Sequence, residues 1–374
     1  MATEVSIQAN VQTEVEDDFQ IVEDEDLPGM TEAERAAEVE RLRQEALEEA
    51  RKLEQSAQDA EEPEVAARHA LWLRGRARII DFDPKQRGFY YSRLYFVDHV
   101  TFDHDEESPL GPMRFTESAS MLGHRQDDPF VGLNIFTVKI SSSDVGFPIH
   151  VYGTVVARDS IDKKCVYLFR RDRDHCQLIN SENEPLILTG PKRGLLLLND
   201  DYVEFDLKIK DHGGQDRDFS KGYLTIKGVA SRSFGKCEVE SKSLATRLST
   251  VNVMYAAVEN AIEATVAIEV VQGDFDGKIT AYTTSCDNSL VLFDSKVARD
   301  MSSDATGIRA IQLMRSVICV DEEDKLIIVA ENSDGKSRNT EIAPSFDGGA
   351  QTSITVGGTE LRVKVTWSLM NLLV

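Results

Sequence analysis

The chain contains no run of about 18 apolar residues, so no membrane-crossing helix is expected anywhere along its 374 residues. Cysteine is scarce. Cys165, Cys176, Cys237, Cys286 and Cys319 are odd in number, far apart, and never in a C-x-x-C arrangement. A disulfide framework and a structural zinc site are both disfavoured, and a reducing compartment is the natural home. No Asn-x-Ser/Thr sequon occurs. The opening residues are acidic rather than basic and apolar, Ala2 stands where myristoylation requires glycine, and the closing "LLV" offers no prenylation cysteine. These absences lead to the expectation of a soluble cytoplasmic or nuclear protein without a membrane anchor. Basic charge is short as well. The 42 Lys and Arg face 65 Asp and Glu, a net charge of -23, and that field repels a bulk polyanion.

Several catalytic signatures are also missing. "GPKRG" and "FGKCE" have neither the spacing nor the hydroxyl of a phosphate loop, and G-x-S-x-G, H-E-x-x-H and G-x-G-x-x-G do not occur. Nucleotide hydrolases, α/β-hydrolases, zincins and dinucleotide enzymes are thereby set aside.

What is present begins with segregated charge. Residues 1–62 hold about 20 Asp and Glu against about 5 Lys and Arg, roughly -15 of the total. Residues 1–30, with "EVEDDFQIVEDEDLPG", have too little apolar surface to offset ordering and are expected to be an acidic disordered tail. A helical segment is expected over 31–78. "TEAE" is a capping box from Thr31 to Glu34, and the charged run after it carries a thin stripe of Val39, Leu42, Ala46 and Leu53 that Glu49 interrupts. A short coiled coil and a single solvated helix both satisfy that pattern. Pro63 opens a second helix whose Val65, Ala66, Leu71 and Trp72 can dock it. Residues 79–132 read as an irregular linker with short strands. Deleting 1–62 is expected to leave a folded β protein.

From residue 133 the pattern is nearly all strand. "YVEFDLKIK" alternates cleanly, with Val203, Phe205, Leu207 and Ile209 on one face and Tyr202, Glu204, Asp206 and Lys208 on the other. Short strands at about ten-residue spacing, with no helices between them, predict a mainly β fold of antiparallel sandwich or barrel-like units. The first unit is placed at 133–230 and the second at 231–374. "VYGTVVARDSIDKKCVYLFR" from Val151 aligns without gaps on "FDGKITAYTTSCDNSLVLFD" from Phe275, matching Gly153 to Gly277 and Phe169 to Phe293. A duplicated hairpin explains the match. Two hairpins obeying one alternation rule explain it too, and that reading is favoured because alternation alone creates such matches.

These segments, together with "LILTGPKRGLLLLNDDYVEFDLKIKD" and the closing "LRVKVTWSL", resemble a plant family of grasses known as a domain of unknown function. The resemblance covers about Leu133 to Leu369. It implies relatives that occur alone and also behind the toxin part of jasmonate-induced ribosome-inactivating proteins. It brings no catalytic residues. A toxin fold of roughly 250 residues does not fit before Leu133, and "TEAERAAEV" offers Glu and Arg without the aromatic platform that grips a flipped adenine. Glycosidase activity is not expected.

Four kinds of candidate chemistry stand in the sequence. In "RRDRDHC", Arg170, Arg171 and Arg173, with Lys192 and Arg193 of "TGPKRG" and the "RGRAR" of Arg74 to Arg78, are basic spots in an acidic protein. Asp172 and Asp174 offset two of the arginines, and the stretch reads better as a charged hairpin joining "CVYLF" to "CQLI". Cys165, Cys176 and His175 suggest a thiol site, with buried small hydrophobe as the favoured role. His99 and His104 in "DHVTFDHDEE" suit a divalent metal, but an odd spacing in a strand puts them on opposite faces. "GDFDGK" and "RDSIDKK" resemble calcium loops, and the first lacks the distal acidic ligand.

The sequence is therefore read as a non-enzymatic β-rich binding or interaction module, stress- or defence-related, with no catalytic residue, cofactor or metal. Its partner is a protein or a second copy, contacted through the acidic tail and charged helix. Membrane contact is not expected and nucleic acid is disfavoured. The competing reading is a nucleic-acid-associated protein or enzyme of the ribosome-inactivating defence group.

Overall fold

The computed structural model describes residues 31–56, 63–94, 102–112, 131–210, 216–232, 237–297, 301–303, 309–345 and 348–370. The acidic tail, His99 and most of the 109–130 segment lie outside them. The chain divides into two compact units, 1–102 and 103–374.

In the first unit, helix α1 (Glu32–Ser56) starts where the capping box predicts. The Glu34 N–H donates to Thr31 Oγ1 at 3.3 Å, and Thr31 N–H donates back to Glu34 Oε2 at 2.6 Å. Helix α2 (Pro63–Ile79) opens on its proline. A tight hairpin of β1 (Ile80–Asp83) and β2 (Gly88–Tyr91) follows directly. The stripe of α1 is neither a coiled-coil seam nor solvated. Val39 and Leu42 pack on Phe82 and Phe89, and Leu53 and Ala50 pack on Ala70, Trp72 and Leu73. Burying this stripe within the unit offsets the interruption at Glu49.

The second unit is two antiparallel sandwiches, which agrees with the fold class expected from alternation. Its strands are β3 (Gly132–Ser143), β4 (Ile149–Arg158), β5 (Val166–Arg171), β6 (Gln177–Ile179), β7 (Leu195–Leu196), β8 (Asp201–Ile209), β9 (Arg217–Ile226), β10 (Cys237–Thr246) and β11 (Ser249–Val258), then β12 (Ala261–Gln272), β13 (Gly277–Thr283), β14 (Cys286–Asp294), β15 (Met301–Ser303), β16 (Arg309–Ile311), β17 (Val317–Asp321), β18 (Leu326–Asn332), β19 (Ser337–Ile342), β20 (Gly349–Val356) and β21 (Thr359–Leu369). In the first sandwich the sheet β10-β11-β3-β7 faces the sheet β5-β4-β8-β9. Val203, Phe205, Leu207 and Ile209 point into the core between them, as their alternation requires. The β10–β11 hairpin pairs with β3 along its whole length. The division between sandwiches therefore falls between β11 and β12, after Val258, rather than at 230.

The second sandwich repeats the main sheets of the first; β6, which pairs β4, and β15 and β16, which extend the β12 edge, have no counterpart. Its sheets run β20-β21-β12-β17 and β14-β13-β18-β19, with β16 extending the β12 edge. Each sheet order is the first sandwich's order carried forward. The gap-free alignment extends this to fine geometry. β4 and β5 shift register between Val155 and Val156, and β13 and β14 shift between Ile279 and Thr280, the aligned pair. A Cβ on Gly153 would lie 2.1 Å from Asp206 O, and one on Gly277 would lie 2.0 Å from Glu331 O. Alternation creates similar hydrophobic patterns, but it does not place the same bulge and the same glycine contact in both hairpins. The repeat is a duplicated unit.

The charged stretch after β5 is not a hairpin turn. β5 and β6 do not pair with each other; both pair with β4, β5 against 153–157 and β6 against 149–151. They are two pieces of one edge strand, and "DRDHC" is an excursion between them.

Candidate functional site

The densest polar cluster sits where the β4–β5 turn, the segment before β8 and the start of β12 converge. Its members come from apolar strands. Arg158 ends β4, Glu204 lies on the outer face of β8, and Glu263 interrupts "AIEATVAIEV" of β12; all are buried. Arg158 donates to Glu204 Oε2 at 2.7 Å, to His104 O at 2.6 Å and to Lys163 O at 2.9 Å. Arg193 is 0% exposed and grips Asp159 with both ends of its fork, at 2.6 and 3.0 Å, with Asp162 at 3.5 Å. Asp159 Oδ2 also accepts the Leu196 N–H at 3.0 Å, and Glu263 accepts the Gly194 N–H at 2.7 Å. Burial pulls the Arg193 guanidinium downward, and Asp159, Asp162 and Glu263 more than offset it, so its pKa lies above the usual arginine value.

Asp201 adds a fifth acid. It accepts Ser160 Oγ at 2.9 Å and stands 3.3 Å from Lys163 Nζ, which sits closer to Asp200 O at 2.6 Å. Burial drives the Asp201 carboxyl well above the usual range, against the pull of Lys163 and with a push from Asp159. The cluster is thus a set of buried polar groups engaged with one another. It is suited to holding segments together, and it leaves Asp159 and Asp162 paired with an arginine rather than open to calcium.

Below the cluster the two sandwiches are joined by buried hydrogen bonds. Asn134 donates to Cys319 O at 2.7 Å and accepts from Cys319 N at 2.9 Å. Arg315 donates to Ile135 O at 2.6 Å and Phe136 O at 3.3 Å. Burial brings its pKa down to about 10. Among the described residues no carboxylate pairs with it. An asparagine in "GLNIFTV" and an arginine between apolar strands were the available signals for these contacts, since a polar residue inside an apolar run needs a specific partner.

The other candidates scatter. Arg170 lies 3.5 Å from Glu107 with its guanidinium over Tyr167, Lys192 is 2.9 Å from the same Glu107, and Arg173 holds Asp216 at 2.6 and 3.2 Å. Arg171 donates to His175 O at 3.1 Å. So each of Arg170, Arg171, Arg173, Lys192 and Arg193 is engaged within the chain, and the most central of them is fully buried. Arg74 pairs with Glu54 in the first unit. The thiol candidates do not converge. Cys165 donates to His104 O at 3.1 Å, Cys176 lies 3.7 Å from His150 Nδ1, and His175 pairs with Asp172 at 2.8 Å. In "GDFDGK", Asp274 pairs with Arg309, and Asp276 accepts from Ser295 Oγ at 2.6 Å. Among the described residues, no three His, Cys, Asp or Glu side chains group to hold a metal ion.

A second location had no sequence signal of its own. A small pocket with room for little more than a water molecule lies between the sandwiches, lined by Asn134, Phe136, Cys237, Tyr282, Cys286 and Asp324 among others. It brings together two cysteines far apart in the chain. Spacing alone does not reveal such a pair.

No helix among the described residues is long and apolar enough to cross a membrane. No curated protein matches the chain. Among solved structures, human GIVD cytosolic phospholipase A2 is 9% identical with a TM-score of 0.22, over 65% of this chain and 30% of that one. The chain thus spans under a third of that protein. The C2A and C2B domains of extended-synaptotagmin 2 are 9% identical with a TM-score of 0.21, over 73% of this chain and 99% of that one. Likenesses this slight carry no functional weight. Residues 132–365 match a family model, and that span runs from the first residue of β3 to within β21, taking in both sandwiches. The chain belongs to the family described as "Domain of unknown function (DUF6598)".

Proposed function

We propose that this protein is a non-enzymatic interaction module of a grass defence or stress response, working in the cytoplasm or nucleus. The duplicated sandwiches are a rigid platform, and the acidic front contacts a protein partner with a basic surface. One contrast carries this reading. Every basic candidate of the β unit is engaged internally, whereas the front holds roughly -15 of the net charge of -23. On α1 the ion pairs of Arg41 with Glu38 and Glu45, and of Lys52 with Glu48, leave an excess of carboxylates facing water. Two copies of such a front repel each other, which favours a basic partner over self-association.

The test is cross-linking of the full chain in plant extract, set beside a full-length variant whose acidic residues in 1–62 are changed to Asn and Gln. The expected result is a basic protein recovered by the native chain, lost with the neutralised front and weakened by salt. Equal recovery by both forms, self-association alone, or recovery of RNA alone would overturn the proposal.

A further inference from the structure

The β4–β5 turn and the β13–β14 turn occupy the same place in the two repeats, and they are filled differently. In the gap-free alignment Arg158, Asp159 and Asp162 correspond to Tyr282, Thr283 and Cys286. The first set belongs to the buried ionic cluster. The second set lines the small pocket between the sandwiches.

Cys286 is the first residue of β14, presented by a turn that Asp324 clamps. Thr284 Oγ1 and Ser285 Oγ donate to Asp324 Oδ1 at 3.0 and 2.6 Å, and Ser285 N–H donates to Oδ2 at 3.2 Å. Cys237 is the first residue of β10, the edge strand of the other sandwich, and pairs with Val258. β10 and β14 pack together across the junction, and both cysteines line the same pocket. Cys286 is buried, and Cys237 is half-buried, so solvent reaches the pair from one side. The neighbouring Cys237 thiol and the Asn288 backbone bring the Cys286 thiol down to about 7, while the same neighbour and burial push Cys237 up. By contrast, burial pushes the Cys319 thiol up to about 12.

We propose that Cys237 and Cys286 form a hydroperoxide-responsive thiol pair that closes to a disulfide across the junction of the two sandwiches. The Cys286 thiolate attacks the terminal oxygen of the hydroperoxide. The O–O bond breaks, a sulfenic acid forms, and the leaving oxygen takes up a proton to become water or an alcohol. The Cys237 sulfur then displaces hydroxide from that sulfenic acid, forming the S–S bond and, with the Cys237 proton, releasing water. Two thiols are oxidised by two electrons and one peroxide is reduced. The bond ties an edge strand of one repeat to a hairpin of the other and closes the loop from 237 to 286. A thiol reductant reverses it.

The experiment treats the full-length protein with hydrogen peroxide and maps it by non-reducing mass spectrometry. Two thiols are expected to disappear together, a peptide joining Cys237 to Cys286 to appear, and dithiothreitol to restore both. In Cys237→Ser the reaction stops at a Cys286 sulfenic acid that dimedone traps. Cys286→Ser reacts about tenfold more slowly or less, and Cys165→Ser behaves as the parent. If a serine variant loses its cooperative melt, N-ethylmaleimide on the parent protein gives the same reading. Cys286 labels first among the five cysteines, and that labelling blocks the cross-link. A cross-linked peptide that forms only after unfolding, or an unchanged peroxide rate in a folded Cys286→Ser protein, overturns the proposal.

Discussion

Replacing Arg193 with methionine tests whether the ionic cluster holds the β unit together. Arg193 is 0% exposed and Asp159 is 1% exposed, so Arg193→Met leaves Asp159 with a buried charge and Asp162 without its nearest cation. Removing one partner of a buried pair typically costs about 3–5 kcal/mol. Adding Asp159→Asn removes the stranded charge and keeps an acceptor for the Leu196 N–H, which the carboxylate now receives at 3.0 Å. The double variant is expected to recover most of the loss and to lie within about 1–2 kcal/mol of the parent. Urea unfolding followed by far-UV circular dichroism and by tryptophan fluorescence, with slopes compared, measures both. A single variant within about 0.5 kcal/mol of the parent, or single losses that simply add in the double variant, would refute the reasoning.

Other outcomes follow from the same contacts. Arg170→Ala and Lys192→Ala remove half-exposed partners of Glu107 and should shift stability by no more than about 0.5 kcal/mol each in the same urea assay. Gly153→Ala and Gly277→Ala push a Cβ into strand backbone at the equivalent place in each repeat; both should cost about 2 kcal/mol or more, and tolerance of only one would show that the repeats do not share this constraint. Asp201→Asn should stabilise the protein at neutral pH. The folded Asp201 pKa is raised, so the parent loses stability as pH rises from the ordinary carboxylate value through the folded one; the asparagine variant lacks that loss, and the gain should vanish below the ordinary value. Deleting 1–62 strips α1 from Phe82, Phe89, Ala70 and Leu73 and should raise binding of a hydrophobic dye, whereas a chain starting at Asp103 should keep a cooperative β-type melt.

How much the sequence disclosed depended on where each element lies in the sheets. Strands with one buried face, such as β8 and β13, alternate strongly and are readable within a residue or two. β10 and β19 are edge strands whose burial is slight, with "CEVESKSLAT" and "SRNTEI" polar on both faces, so no period marks them. Without a period over β10, the sequence offers no sign that the β10–β11 hairpin belongs with β3, and a boundary at 230 cuts it from its sheet. The broken edge strand of β5 and β6 mimics a hairpin because a charged turn between two apolar runs looks the same whether the strands pair with each other or with a third.

The site was legible only where charge was conspicuous, and conspicuous charge was the wrong guide. Asp162 and Cys286 occupy one position of a duplicated turn, yet the first is held by a buried arginine and the second faces a thiol from another sandwich. Arg193 lies in a segment crossing toward β7, and Cys237 begins a strand with no sequence period, so neither partner can be inferred from the turn itself. Duplication copied the scaffold and left the chemistry of the turn to whichever distant segment packs on it. In the first repeat that segment supplies a counter-ion, and the turn became a fastening. In the second it supplies a sulfur, and the same turn brings two thiols to the wall of one pocket.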